Sequence, residues 1–120
     1  MDKKNIVIDK SYAFAIRIVN AYKFLVEEKQ EYVLSKQLLR SGTAIGALLK
    51  ESVHAQSRPD FLNKINIALK EANEIEYWLL LLNDTSYISQ DVFQSVIADC
   101  KEIIALLVSI VKSLKETLKP

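Results

Sequence analysis

Apolar residues recur along this chain at the three-to-four-residue spacing of a helix through four long stretches, separated by short polar connections. From Lys10 to about Glu28, Tyr12, Ile16, Val19, Tyr22 and Val26 form one row, and Phe14, Ile18 and Leu25 form a second beside it, so the apolar face is wide. Asp9 stands where an N-cap would, which predicts a first helix over 10–28, and Glu27-Glu28-Lys29-Gln30-Glu31 reads as the connection. A second helix is predicted over 32–56. Its successor has a marked start: Ser57-Arg58-Pro59-Asp60 sets a capping serine before a proline suited to the first turn and a carboxylate at the third helical position. That third helix, 59–83, carries Phe61, Ile65, Ala68, Leu69, Ala72, Ile75, Leu79 and Leu82 on one stripe. Asn83-Asp84-Thr85-Ser86 is turn chemistry, and Ser89 or Asp91 can open a fourth helix over 89–118. Its core stripe comprises Phe93, Val96, Ile97, Cys100, Ile103, Ile104, Leu107, Val108, Val111, Leu114 and Leu118, with Leu106 and Ile110 beside it.

Helices of about 20–29 residues extend roughly 30–43 Å, and similar lengths joined by short connections favour antiparallel neighbours. The expectation is therefore an all-α, up-down-up-down four-helix bundle, a single domain over 1–120. One stretch exceeds what such a bundle can bury. Tyr77-Trp78-Leu79-Leu80-Leu81-Leu82 is apolar all the way round, and surface of that kind around Tyr77, Trp78 and Leu81, together with the flank of the fourth stripe, predicts self-association.

The two glycines of the chain, Gly42 and Gly46, lie four apart within the second predicted helix and so share a face. Together they forgo about 2 kcal/mol of helix propensity relative to alanine, which close packing against another backbone would offset. A phosphate loop needs four residues between its glycines and a Lys-Ser/Thr after the second; here three intervene and Ala47 follows. A membrane seam fails on length, because Arg40 and Lys50 bracket nine uncharged residues where a span needs about 20. A turn at Ser41-Gly42-Thr43 is the remaining rival.

Composition narrows function more than it names one. The chain is 50% hydrophobic with two prolines, and its net charge of +1 makes no strong electrostatic case for nucleic acid or membrane. Cys100 stands alone, so no internal disulfide can form, and the N-terminal residues lack the apolar core of a signal peptide; the expected location is the cytoplasm. Glu51 and His54 have the Glu-x-x-His spacing of a di-iron helix, but that chemistry needs a second motif and further carboxylates, and His54 is the sole histidine. No metal, cofactor or enzymatic activity is expected. Arg40, beside the glycine stripe, is expected to pair with Glu71 or Glu74 of the third helix, because a partly buried guanidinium needs a carboxylate. Two short basic rows, Lys3, Lys4, Lys10 and Arg17 near the start and Lys112, Lys115 and Lys119 near the end, are ordinary solvated faces in a monomer. Symmetry in an assembly would join each into a patch able to meet RNA phosphates.

The run Gln37-Leu38-Leu39-Arg40-Ser41-Gly42-Thr43-Ala44-Ile45-Gly46-Ala47, followed by Glu51, Ala55, Ser57, Asp60-Phe61, Ala68-Leu69-Lys70-Glu71-Ala72 and Tyr77-Trp78-Leu79, resembles the bacterial four-helix-bundle family. That family is also called the 23S rRNA intervening-sequence protein, or S23, family. The resemblance implies a small antiparallel bundle assembled as a homopentameric ring. A relative, the accessory variability protein of diversity-generating retroelements, is a basic ring that binds nucleic acid and a reverse transcriptase. This chain differs in being nearly neutral, and in having Ala44 where the family commonly has serine. The expected function is a non-enzymatic, homo-oligomeric, pentameric scaffold that holds RNA or a protein partner. The rival expectations are a carboxylate-rich metal or small-molecule binding bundle and an adaptor that binds protein alone.

Overall fold

Local capping signals and long apolar stripes produce four helices in the computed structural model, which describes residues 3–117: α1 (Lys3–Lys29), α2 (Leu34–Ser52), α3 (Arg58–Asp84) and α4 (Gln90–Thr117). Each packs on its neighbours in chain order and α4 returns to α1, so α1 and α3 are diagonal, as are α2 and α4. The result is a rod of 52 × 23 × 22 Å. Its core is continuous from Phe14, Ile18 and Leu25 of α1 through Leu38, Ile45 and Leu49 of α2 to Ile75 and Leu79 of α3 and Ile103 and Leu107 of α4, all fully buried. Cys100 is part of it. Burial, reinforced by the nearby Glu76 charge and opposed by Lys101, pushes its thiol up to about 12, and its S–H donates to the Ala72 carbonyl at 3.4 Å.

The first helix differs most from expectation. It starts at Lys3 rather than at residue 10, and Asp9 is an exposed residue within the helix instead of its N-cap. Val7 is fully buried, which anchors the additional turns. The inward row is Val7, Ser11, Phe14, Ile18 and Leu25, whereas Tyr12 and Ile16 of the other row are 70% and 49% exposed.

Gly42 explains that choice of row. Both glycines lie inside α2 and neither has a positive φ, so the turn reading of 41–43 does not hold. A Cβ placed on Gly42 would sit 2.6 Å from Ile18 Cγ2 and 2.8 Å from Ile18 Cγ1, so Ile18 occupies the space that the missing side chain leaves. Gly46 is less crowded. Its Cβ would lie 3.6 Å from Ser11 Oγ, an ordinary contact.

The connections are set by side chains that replace missing backbone partners. Gln30 adopts φ 49°, and the Glu31 N–H reaches back to the Leu25 carbonyl at 3.0 Å, closing α1 with a left-handed cap. Glu31, read from the sequence as a connecting residue, is buried, and its carboxylate accepts from the N–H groups of Ser35 at 2.7 Å, Leu34 at 3.1 Å and Val33 at 3.3 Å. Burial acts to raise its pKa, but those three donors and the Ser35 hydroxyl outweigh it and hold the carboxyl below its ordinary value. At the other end, α2 stops at Ser52 rather than 56, because Ser57 and Asp60 cap α3 reciprocally. The Asp60 N–H donates to Ser57 Oγ at 3.1 Å and the Gln56 N–H to Asp60 Oδ2 at 3.1 Å, which draws residues 53–57 out of the helix.

Two stability predictions follow from these contacts. Gly42→Ala forces a methyl into β-branched Ile18, an overpacking cost of about 1–3 kcal/mol that exceeds the roughly 1 kcal/mol of helix propensity gained. Gly46→Ala keeps the gain. Thermal denaturation followed by circular dichroism should show Tm falling in the first variant and rising by about 4 °C in the second; equal shifts would count against the seam. Because the folded Glu31 pKa is depressed, its contribution is present above the unfolded value and is lost as pH falls through the folded one. Glu31→Gln should cost about 1–2 kcal/mol at pH 7 and flatten the acid limb of stability measured by urea titration.

Candidate functional site

A polar cluster joins α2 to α3. Arg40 Nη1 donates to Glu71 Oε2 at 3.1 Å, Nη2 donates to Glu74 Oε2, and Nε donates to Gln37 Oε1 at 3.2 Å. Glu71, Glu74 and Trp78 lie at i, i+3 and i+7 and so share a face of α3; Trp78 Nε1–H donates to the same Glu74 oxygen at 3.1 Å. The Tyr77 ring meets Trp78 edge-on, with 5.0 Å between centroids. Arg40 is half exposed and Glu71 largely covered. Two carboxylates, a guanidinium and an indole thus satisfy one another, and the cluster acts as a clip between helices.

The chain also presents two separate apolar surfaces. Between α3 and α4 lies a groove of about 290 Å³ lined by Glu76, Tyr77, Leu80, Phe93, Ile97 and Lys101, in which Tyr77 and Leu80 are exposed. Trp78 and Leu81 are half-buried, while Leu79 and Leu82 belong to the core. On α1, Lys10 and Arg17 point to α4, and at about 100° per residue Tyr12 and Val19 lie roughly 200° from them, on the flank toward α2. Exposed Tyr12 and Ile16 therefore lie on the outer side of α1, Tyr12 toward α2 and Ile16 facing away from the core.

Two residues of the first basic row, Lys10 and Arg17, are engaged. Lys10 pairs with Glu102, and Arg17 donates to Asp99 Oδ2 at 2.6 Å and to Ser95 Oγ at 2.9 Å. These links tie α1 to α4 and remove two residues from the set expected to contact nucleic acid. The spacing that foreshadows them is visible in the sequence, since Asp99 and Glu102 share a face of α4 as Lys10 and Arg17 share one of α1. Lys112 and Lys115 are exposed. Lys119 lies outside the described residues, as do the side chains of Lys3 and Lys4.

Because α2 ends at Ser52, exposed His54 sits in the following turn and does not share a helical face with Glu51. Among the described residues no three His, Cys, Asp or Glu side chains gather to hold a metal ion, and no helix is long and apolar enough to cross a membrane. A larger cleft, which no sequence spacing marks, opens between α1 and α4.

Comparison with known proteins places this arrangement. No curated protein matches the chain. A crystal structure of a protein of unknown function from the S23 ribosomal protein family, from Bacteroides thetaiotaomicron VPI-5482, aligns with a TM-score of 0.91 and 60% identity, over 92% of this chain and 99% of that one. The model of the family described as 23S rRNA-intervening sequence protein matches residues 3–109, which takes in the Arg40 clip, the glycine seam and both apolar faces. With its four antiparallel helices, the chain belongs to the 23S rRNA-intervening sequence protein family.

Proposed function

We propose that this protein is a non-enzymatic scaffold that assembles with itself into a ring and holds RNA on one rim. The observation that carries the first half is the pair of unlike, separate apolar patches, Tyr12 and Ile16 on the outer side of α1 and Tyr77, Leu80, Phe93 and Ile97 between α3 and α4. A two-fold dimer uses one self-complementary patch, whereas two different patches make a head-to-tail contact that closes into a ring when the rotation fits. Five copies is the number the family resemblance implies. The RNA half rests on charge. At the end where α1 and α3 begin, Lys50, Arg58, Lys112 and Lys115 are exposed alongside Asp9, Glu51 and Glu116. At the other end Glu27, Glu28, Asp84 and Asp91 are exposed alongside Lys23, Lys29 and Lys36. Parallel copies in a ring would bring the basic ends onto one rim and multiply their pull on phosphates.

Light scattering after size exclusion should report a pentamer at micromolar concentration, and Tyr12→Asp or Leu80→Asp should each leave a folded monomer. Mixing those two variants should restore a one-to-one pair, since each retains the patch the other has lost. A monomeric wild type sinks the scaffold, and variants that fail to pair sink the head-to-tail contact. For RNA, filter binding should weaken steeply as salt rises, and Lys112→Glu with Lys115→Glu should reduce both the affinity and the salt slope. Binding indifferent to salt, or absent at low salt, rejects the rim, and ribonuclease-resistant capture of a partner would favour a protein adaptor.

A further inference from the structure

The cleft between α1 and α4 has a shape and charge that the scaffold does not use. It encloses about 790 Å³ between the second half of α1, the turn at 85–89 and the start of α4. That size falls within the range of small-molecule sites, roughly 300–1,000 Å³. Its floor is apolar: Val96 and Ile88 are buried at the bottom, and Phe24 and Val92 are exposed into it at 43% and 46%. Amides and hydroxyls of Asn20, Asn83, Ser86 and Gln90 form the rim.

Charge selects the occupant. The two ionisable side chains other than tyrosine in its walls are cations, Arg17 and Lys29, although this end of the rod carries Glu27, Glu28, Asp84 and Asp91, none of which lines it. Asp99 lies outside the walls but offsets the charge of Arg17, which leaves Lys29 as the wall cation that an anion would meet. The Lys29 ammonium stands 5.8 Å from the centroid of the Phe24 ring, at the junction of the apolar floor and the rim. Arg17 and Lys29 are twelve residues apart on α1, about 18 Å along its axis, so the two cations stand well apart along the cleft. We propose that this cleft binds a small amphipathic anion, with an aromatic or alkyl body on Phe24, Val92 and Val96 and one carboxylate, sulfonate or phosphate beside Lys29.

The test uses the full chain and 8-anilinonaphthalene-1-sulfonate, an anionic aromatic probe, titrated by fluorescence and by calorimetry. Saturable binding of one probe per chain is expected. Lys29→Gln should weaken it by about ten-fold while leaving the uncharged N-phenyl-1-naphthylamine unaffected. Val92→Asp, which puts a carboxylate on the floor, and Asn20→Trp, which fills the mouth, should each abolish it; both positions are solvent-accessible, and circular dichroism checks the fold. Leu80→Asp, on the other apolar surface, should leave binding intact. Phosphatidylglycerol vesicles, which offer the same headgroup chemistry in a bilayer, should not co-float with the protein. Absence of saturable binding, binding unchanged by both Val92→Asp and Asn20→Trp, or flotation with vesicles without binding of the free probe would overturn the proposal. Loss of ring assembly with probe binding retained would leave it standing, so the two readings fail separately.

Discussion

Ile18 resting on the bare backbone at Gly42 fixes the distance and the rotation of α1 against α2, and the rest of the molecule follows from that rotation. With Ile18 inward, Phe14 and Leu25 enter the core and the adjoining row must turn out, which exposes Tyr12 and Ile16. The same rotation carries Lys10 and Arg17 to the α4 side, where they meet Glu102 and Asp99. A single absent side chain thus decides which apolar surface is core, which is left exposed, and which cations are paired within the fold. Overpacking at such a point is felt beyond it, because a close-packed interior relaxes only in part.

Helix lengths are controlled separately, by carboxylates and hydroxyls that stand in for missing backbone partners. Glu31 holds three N–H groups at the start of α2, and Ser57 with Asp60 does comparable work for α3. On the outer faces, Arg40 between Glu71 and Glu74 closes α2 on α3 while Arg17 closes α1 on α4. The guanidinium clips lie on two opposite sides of the rod, and exposed apolar residues lie apart from them, on the outer side of α1, between α3 and α4, and in the α1–α4 cleft beyond Arg17. Paired polar groups have little to gain from further contact; apolar surface left in water does.

What the sequence revealed depended on how local its cause was. The start of α3 was legible because Ser57, Pro59 and Asp60 act within one turn, and the Arg40 clip because a guanidinium beside a glycine stripe requires carboxylates and Glu71 and Glu74 share one helical face. The start of α1 was not, since it rests on Val7 being buried by distant helices rather than on a capping residue. Nor could spacing choose between the two rows of α1, which are equally apolar; the choice lies in how Ile18 fits Gly42, a contact across 24 positions of sequence. Glu31 looked like one more charge in a polar connection, and only its burial distinguishes it from Glu27 and Glu28. The α1–α4 cleft leaves no trace in the pattern, because it is a shape between helices and not a property of either.

Cys100 bears on how the molecule can be interrogated. The only thiol in the chain is fully buried and raised to about 12 by its surroundings, so at neutral pH it is neither ionised nor within reach of reagents. The native protein is therefore silent to maleimide chemistry without any cysteine having to be removed. One cysteine introduced at Val108, which the apolar spacing of α4 puts on its core stripe but which is 48% exposed because it turns away from α1 and α3, would be a unique handle for a spin label or fluorophore in an otherwise unaltered sequence.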